Sequence, residues 1–202
     1  MLYVIIAALV GITTAIPTQP GCCVPPQWEG TEVDALGIVV GGSATVSDSR
    51  VFISYDEPNN RILTHYNITT DGDNWSYKVL QDFNKGIRYV LFNDDVTCQP
   101  KPLPGPFKKQ CLPADAVSQG NVKVGVGANT LEGVSFKFTV NNTVTTVIGT
   151  PEDCLPIFES LRGSTNGAPS MHSIGYVDVS LGIKDPSVFD LPSSCSQKTP
   201  LR

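Results

Sequence analysis

Apolar and polar residues alternate with period two along most of this chain, the signature of strands with one buried face. Val51, Ile53 and Tyr55 alternate with Arg50, Phe52 and Ser54, Asp56-Glu57-Pro58-Asn59-Asn60 makes a turn, and Ile62, Thr64 and Tyr66 return, so residues 49–67 read as a β-hairpin. Trp75, Tyr77, Val79, Gln81 and Phe83 repeat the pattern, and Asn84-Lys85-Gly86 turns into Ile87, Tyr89 and Leu91. Strands resume at Val122, Val124 and Val126. Val134, Phe136, Phe138 and Val140 form the cleanest alternation, and Asn141-Asn142 turns into residues 144–148. An earlier strand opens at Gln27-Trp28-Glu29-Gly30, runs to about Val40 and is broken by Gly41-Gly42. No segment sustains an apolar period of 3.6. About nine or ten strands joined by turns predict an all-β fold, an antiparallel sandwich or open barrel.

Four segments depart from simple alternation. Val90 and Phe92 are apolar on the face opposite Tyr89 and Leu91, and Leu80 does the same on the partner strand, so the second hairpin is sandwiched between layers or faces a ligand cavity on one side. Prolines at 100, 102, 104 and 106 exclude a regular strand and predict a long surface excursion between Cys98 and Cys111. Residues 151–162 are ambiguous between strand and short helix, and 163–170 read as a Gly/Ser/Pro-rich loop. The last strand, 174–184, places Val177, Val179, Leu181 and Ile183 on one buried face. Asp185-Pro186 ends it, and Phe189 and Leu191 return toward a core where Cys195 can hold them.

The 202 residues suit one all-β domain, and a hydrophobic fraction of 41% is enough for a real core. A net charge of −5, with no basic cluster larger than Lys108-Lys109, argues against a nucleic-acid partner. Leu2–Ile12 is an apolar run of signal-peptide length, too short to span a bilayer. Thr13 and Ala15 supply the small residues of a cleavage site, although the leading region lacks Lys and Arg. The expected organisation is a signal peptide over 1–15 and a single domain over 16–202, with no membrane-spanning segment. In the oxidising compartment so implied, Cys22, Cys23, Cys98, Cys111, Cys154 and Cys195 form three disulfides. Adjacent Cys22 and Cys23 lead to different parts of the fold, and spacing alone does not choose among the pairings. Sequons at Asn67, Asn74 and Asn141 predict N-glycosylation at strand ends or loops.

Catalytic motifs are missing from the sequence. Gly41-Gly42-Ser43-Ala44-Thr45 lacks the closing glycine of a nucleophile elbow, and Gly125-Val126-Gly127 lacks the third glycine of a dinucleotide fingerprint. His65 lies in a strand and His172 in or beside a loop, and both read as structural or solvated. The expectation is a protein that is not an enzyme. Hard-cation chemistry is the better match to the acidic loops, where Asp71 and Asp73, and Asn93, Asp94 and Asp95, offer oxygens for Ca2+ without completing an EF-hand.

The cysteine arm followed by Pro25-Pro26-Gln27-Trp28-Glu29-Gly30 resembles the ependymin-related family. So do Ile53-Ser54-Tyr55-Asp56-Glu57-Pro58-Asn59-Asn60-Arg61 and Leu181-Gly182-Ile183-Lys184-Asp185-Pro186-Ser187-Val188-Phe189 ahead of Cys195. The adjacent cysteines and the Pro-rich segment before Cys111 are more similar to invertebrate members. The resemblance implies two stacked antiparallel sheets in a curved sandwich or half-barrel around an apolar pocket, similar to bacterial lipoprotein-carrier folds. It implies a secreted or lysosomal glycoprotein, calcium-responsive and homodimeric, that binds an apolar or lipid-like ligand. The alternative it carries is a calcium-dependent component of cell–matrix adhesion that binds collagen. Its disulfides would be Cys98–Cys195 and either Cys22 or Cys23 with Cys154, leaving Cys111 to the remaining neighbour. The two-faced hairpin and the implied pocket together nominate Tyr77, Val79, Tyr89, Val90, Leu91, Phe92, Phe136 and Phe138 as its lining.

Overall fold

The computed structural model describes residues 21–196, so the expected signal peptide lies outside the described residues. Eleven strands form one antiparallel sheet in the order β6-β5-β4-β3-β2-β1-β11-β10-β9-β8-β7. They are β1 (Gln27–Val40), β2 (Ser43–Asp56), β3 (Arg61–Thr70), β4 (Asp73–Asp82), β5 (Ile87–Phe92) and β6 (Thr97–Pro102) in one meander. β7 (Val117–Val126), β8 (Asn129–Val140), β9 (Thr143–Gly149), β10 (Pro156–Thr165) and β11 (Ala168–Leu181) form the second. The two sheets expected from the resemblance are thus two meanders of one sheet, joined where β11 pairs with β1. β6 and β7 remain as open edges, giving an unclosed half-barrel.

Tight hairpins make this possible. Gly41-Gly42 and Asn141-Asn142 are two-residue loops with positive φ at both positions, the turn whose twist matches that of the flanking strands. The same geometry at Asn166-Gly167 converts the loop expected over 163–170 into a hairpin between β10 and β11.

The Pro-rich segment differs from expectation in two ways. Pro100 and Pro102 lie within β6. Leu103 N donates to Gly86 O, so by alternation residues 98, 100 and 102 direct their nitrogens away from β5. Proline is tolerated there because an edge strand has no partner for that nitrogen. After β6 the chain must travel from one sheet edge to the other to begin β7. Residues 103–116 therefore form a strap across one face of the sheet, where Phe107 packs on Tyr55 and Phe83 with ring centroids 5.5 and 5.2 Å apart.

Both faces of the sheet carry a core. On the strap side, Trp28, Val51, Ile53 and Tyr55 are buried together with Val24, Phe107, Leu155 and Tyr176. Gly30 leaves room for the Trp28 ring, since a Cβ at that position would sit 3.2 Å from the indole and from Val179. On the opposite face, Leu80, Tyr89 and Phe189 are covered by the chain after β11, including Ile183, Val188, Leu191 and Cys195. The expected alternation at the end of β11 is interrupted by a bulge at Asp178, whose φ is +54°. Val177 is consequently exposed, whereas Val179 packs into the strap-side core; Leu181, at the end of the strand, is exposed as well.

Candidate functional site

Three loops make a lid over the strap-side face. The arm at residues 21–26 pairs with the strap: Cys23 bridges Cys111 in β geometry, Val24 N donates to Gln110 O, and Leu112 N donates to Cys22 O. Disulfides Cys23–Cys111 and Cys22–Cys154 tie the arm to the strap and to the β9–β10 loop, with Cα separations of 3.8 and 5.9 Å. Lys109 pairs with Glu57, and Gln110 N donates to the Tyr55 hydroxyl at 3.4 Å, holding the lid to β2.

Between this lid and the sheet lies a cavity of about 410 Å³. Trp28, Ile53, Phe136, Phe138, Val147 and Ile174 supply apolar walls, with Val24 and Leu112 from the lid. Its volume is in the range of small-molecule sites, roughly 300–1,000 Å³. Its polar end is built by cross-strand register. Glu32 on β1 is opposite Tyr176 on β11, and Glu159 on β10 is opposite Ile174, one pleat along the same face. The Tyr176 phenol lies beside both carboxyl groups on this face.

Burial is the main influence on Glu32 and drives its pKa to about 7, reinforced by the negative charges of Glu159 and Asp34 and opposed by Tyr176 and His172. Burial likewise raises the Glu159 carboxyl and the Tyr176 phenol. His172 is raised chiefly by its contact with Asp34, its Nε2 lying 3.4 Å from Oδ1.

These shifts make stability depend on pH. A carboxyl raised from 4.5 to about 7 binds more protons folded than unfolded, so its contribution falls as pH rises from 4.5 to 7. Glu32→Gln is therefore expected to stabilise the protein at pH 8, by up to about 3 kcal/mol, and to change little at pH 4. Urea unfolding of both proteins at the two pH values checks this. Equal effects at pH 4 and pH 8 would contradict it. The His172–Asp34 contact acts in the same direction, being complete below pH 6.5 and lost as pH rises through the raised folded value.

The nominated pocket residues divide among three places. Phe136 and Phe138 line the cavity. Tyr77, Val79, Val90 and Phe92 share its face by register but lie farther along the sheet, in an aromatic row Tyr66–Tyr77–Phe92 with centroid spacings of 4.7 and 5.9 Å. Tyr89 and Leu91 point the other way, Tyr89 into the core beneath the chain after β11. The reason is the pleat: alternate residues of β5 serve different layers. Glu32, Glu159 and Tyr176 escaped the sequence reading because nothing local marks two glutamates on separate strands as neighbours. The available signal was a charged residue in an otherwise inward-facing row of β1.

A second crevice of about 460 Å³ lies on the other face, beneath the chain after β11. Several of its charges are internally engaged: Lys78 pairs with Asp95 at 2.7 Å, while Glu29 accepts from Ser54 and from Lys184 N. The acidic loops do not form a cage. Asp71 and Asp73 sit at the β3–β4 turn, and Asn93, Asp94 and Asp95 at the β5–β6 turn. Asp71, Asn93, Asp94 and Asp95 adopt positive φ, a conformation Asn and Asp tolerate better than most residues. Among the described residues no three His, Cys, Asp or Glu side chains converge as metal ligands.

Asn67, Asn74 and Asn141 are all exposed; Asn67 lies within β3 rather than at its end. Cys98 on β6 bridges Cys195 with Cα atoms 5.1 Å apart. No helix among the described residues is long and apolar enough to cross a membrane.

An open antiparallel half-barrel with an apolar cavity beneath a disulfide-held lid defines the class of protein. The Ependymin family model matches residues 71–195, and the chain belongs to that family. Ependymin-related protein 2 of Haliotis asinina is 29% identical over 209 residues, spanning 96% of this chain and 99% of its own length. Ependymin-related protein 1 of the same organism is 31% identical over 192 residues, spanning 87% and 90%. Mammalian ependymin-related protein 1 of Rattus norvegicus is 26% identical over 206 residues, spanning 98% and 87%.

Proposed function

We propose that this protein is a secreted, non-enzymatic carrier or sensor that holds an apolar, lipid-like ligand in the cavity between the lid and the sheet. The cavity itself carries the reading, being walled by aromatic and aliphatic side chains and closed on one side by two disulfides. Such a site offers the non-directional stabilisation that an apolar ligand needs, together with polar groups to orient one end. Glycosylation at the exposed sequons, dimer formation and a calcium-linked adhesive role remain expectations of the family resemblance and are separable from ligand binding.

The test is extraction of the purified, disulfide-intact protein with organic solvent, followed by mass spectrometry and by titration with a neutral environment-sensitive apolar dye. Recovery of a lipid-like molecule, or saturable dye binding, is expected. Val147→Phe, which fills the cavity from β9, should weaken dye binding by at least about tenfold without unfolding the chain. An empty protein that ignores the dye, or unchanged binding in the filled variant, would sink the proposal.

A further inference from the structure

The two bridges that fasten the lid differ in kind. Val24 N donates to Gln110 O and Leu112 N donates to Cys22 O, so the hydrogen bonds flank Cys23 and Cys111. These two cysteines are thereby a directly opposed, non-hydrogen-bonded antiparallel pair. Such a pair holds its Cα atoms about 4.5 Å apart, closer than the roughly 5.5–6 Å that a relaxed disulfide prefers. Cys111 is also exposed, whereas the other five cysteines are partly buried. Cys22–Cys154 joins the arm to a loop without ladder pairing, and Cys98–Cys195 packs against the Leu80, Tyr89 and Phe189 core. Strained or exposed bridges are the ones thiols reduce most readily.

Resting on the apolar-ligand reading, we propose that Cys23–Cys111 is a redox-sensitive latch on the lid, opened by a dithiol reductant to release the ligand while the other two bridges keep the fold. The chemistry is thiol–disulfide exchange. A thiolate of the dithiol attacks the exposed Cys111 Sγ, the S–S bond breaks, and Cys23 leaves as a thiolate that takes up a proton. The second thiol of the reductant then attacks the mixed disulfide, frees Cys111 as a thiol and closes the reductant's own disulfide. Two electrons pass to the protein, and re-oxidation reverses the step.

Opening this one bond loosens the cavity wall because of what remains. Among the described residues, the hydrogen bonds left between arm and strap are the two beside the bridge. Bonds of that kind at a surface are individually weak in water. The Lys109–Glu57 ion pair and the Gln110–Tyr55 hydrogen bond hold the strap to β2 and do not reach the arm. Cys22 and Val24 of the arm and Gln110, Cys111 and Leu112 of the strap all line the cavity, so parting arm from strap opens that wall. Cys22, still tied to Cys154, keeps the arm on the fold.

The experiment loads the full, disulfide-intact chain with the neutral apolar dye and titrates it with dithiothreitol at pH 8. At each concentration free thiols are trapped with iodoacetamide and located by peptide mass spectrometry, and dye affinity is measured in parallel. Cys23 and Cys111 are expected to be trapped first, at a reductant concentration at least about tenfold below that needed for the other cysteines. Dye affinity should fall by about tenfold at that point, with far-ultraviolet circular dichroism unchanged, and should return on re-oxidation. The Cys23→Ser/Cys111→Ser variant should bind dye as weakly as the partly reduced protein and ignore the same low reductant. Earlier trapping at Cys98–Cys195 or Cys22–Cys154, opening of all three bridges together, or full dye affinity with Cys23 and Cys111 trapped would overturn the latch and leave the cavity reading intact. If the oxidised chain binds no dye, the cavity reading fails and takes the latch with it.

Discussion

Asp56→Ala is expected to lower stability by about 3 kcal/mol, the loss that follows when one partner of a buried ion pair is removed. Asp56 is completely buried at the end of β2. Its carboxylate accepts from Gln27 at 2.9 Å, from Asn59 at 2.9 and 3.1 Å, and from Arg61 Nε at 2.6 Å. Burial by itself would raise its pKa, but these donors and the Arg61 charge outweigh it and hold the group below its ordinary value. Arg61 in turn stacks 4.0 Å over the ring of Phe189, so the carboxylate positions the guanidinium that covers the far core. For a chain of this size the loss corresponds to a Tm lower by roughly 6–12 °C. Asp56→Asn, which keeps the size and some hydrogen bonds, should lose about half as much. Because the folded pKa is depressed, the stabilisation is present above pH 3.8 and fades as pH falls through the folded value. Asp56→Ala should lack that acid-sensitive component. Thermal unfolding of both variants across pH decides it, and a Tm within 2 °C of the parent, about the noise of such comparisons, would contradict the assignment.

Removing the Cys98–Cys195 bridge has the second large effect. Its sequence separation is 97, and constraining a loop of that length contributes about 2–5 kcal/mol, mainly by restricting the unfolded chain. The Cys98→Ser/Cys195→Ser double variant should lose that amount in urea unfolding. It should also release residues 182–196 to proteolysis and expose the apolar face formed by Leu80 and Tyr89. Ligand affinity in the cavity is expected to stay within about twofold, because packing on one face of a sheet couples weakly to distant contacts on the other. The Cys23→Ser/Cys111→Ser pair makes the contrast: that bridge lines the cavity, and its loss should weaken dye binding by about tenfold or more through disordering of the lid. Equal ligand affinity in the two double variants would refute this division of labour. The terminal bridge and the cavity lie on opposite faces of the sheet.

The three motifs that carry the family resemblance meet in space. Gln27 donates to Asp56, Asp56 holds Arg61, Arg61 covers Phe189, and Gly182 N and Lys184 N donate to Gln27 O and Glu29. Their separation in the chain and their distinct local patterns conceal a single knot that locks the start of β1, the β2–β3 turn and the chain after β11. Side chains in this knot explain much of the motifs as structure, while Trp28 and Ile53 of the same motifs wall the cavity.

Strands and turns were legible because they depend on neighbours in the chain. Alternation at Val134, Phe136, Phe138 and Val140 assigns faces by the pleat alone, and paired left-handed residues such as Asn141-Asn142 announce a hairpin. Cysteine number and the apolar character of both β5 faces were equally local. Strand order, the strap's path and the meeting of Glu32, Glu159 and Tyr176 depend instead on register between distant segments. A one-residue bulge at Asp178 is enough to reverse which valines of β11 face the core. The strap crosses the sheet because β6 and β7 occupy opposite edges, a consequence of β1 pairing with β11 that no composition of residues 98–113 reveals. Local sequence thus set the elements and their faces, while long-range pairing decided which faces enclose a cavity and which charges are buried within it.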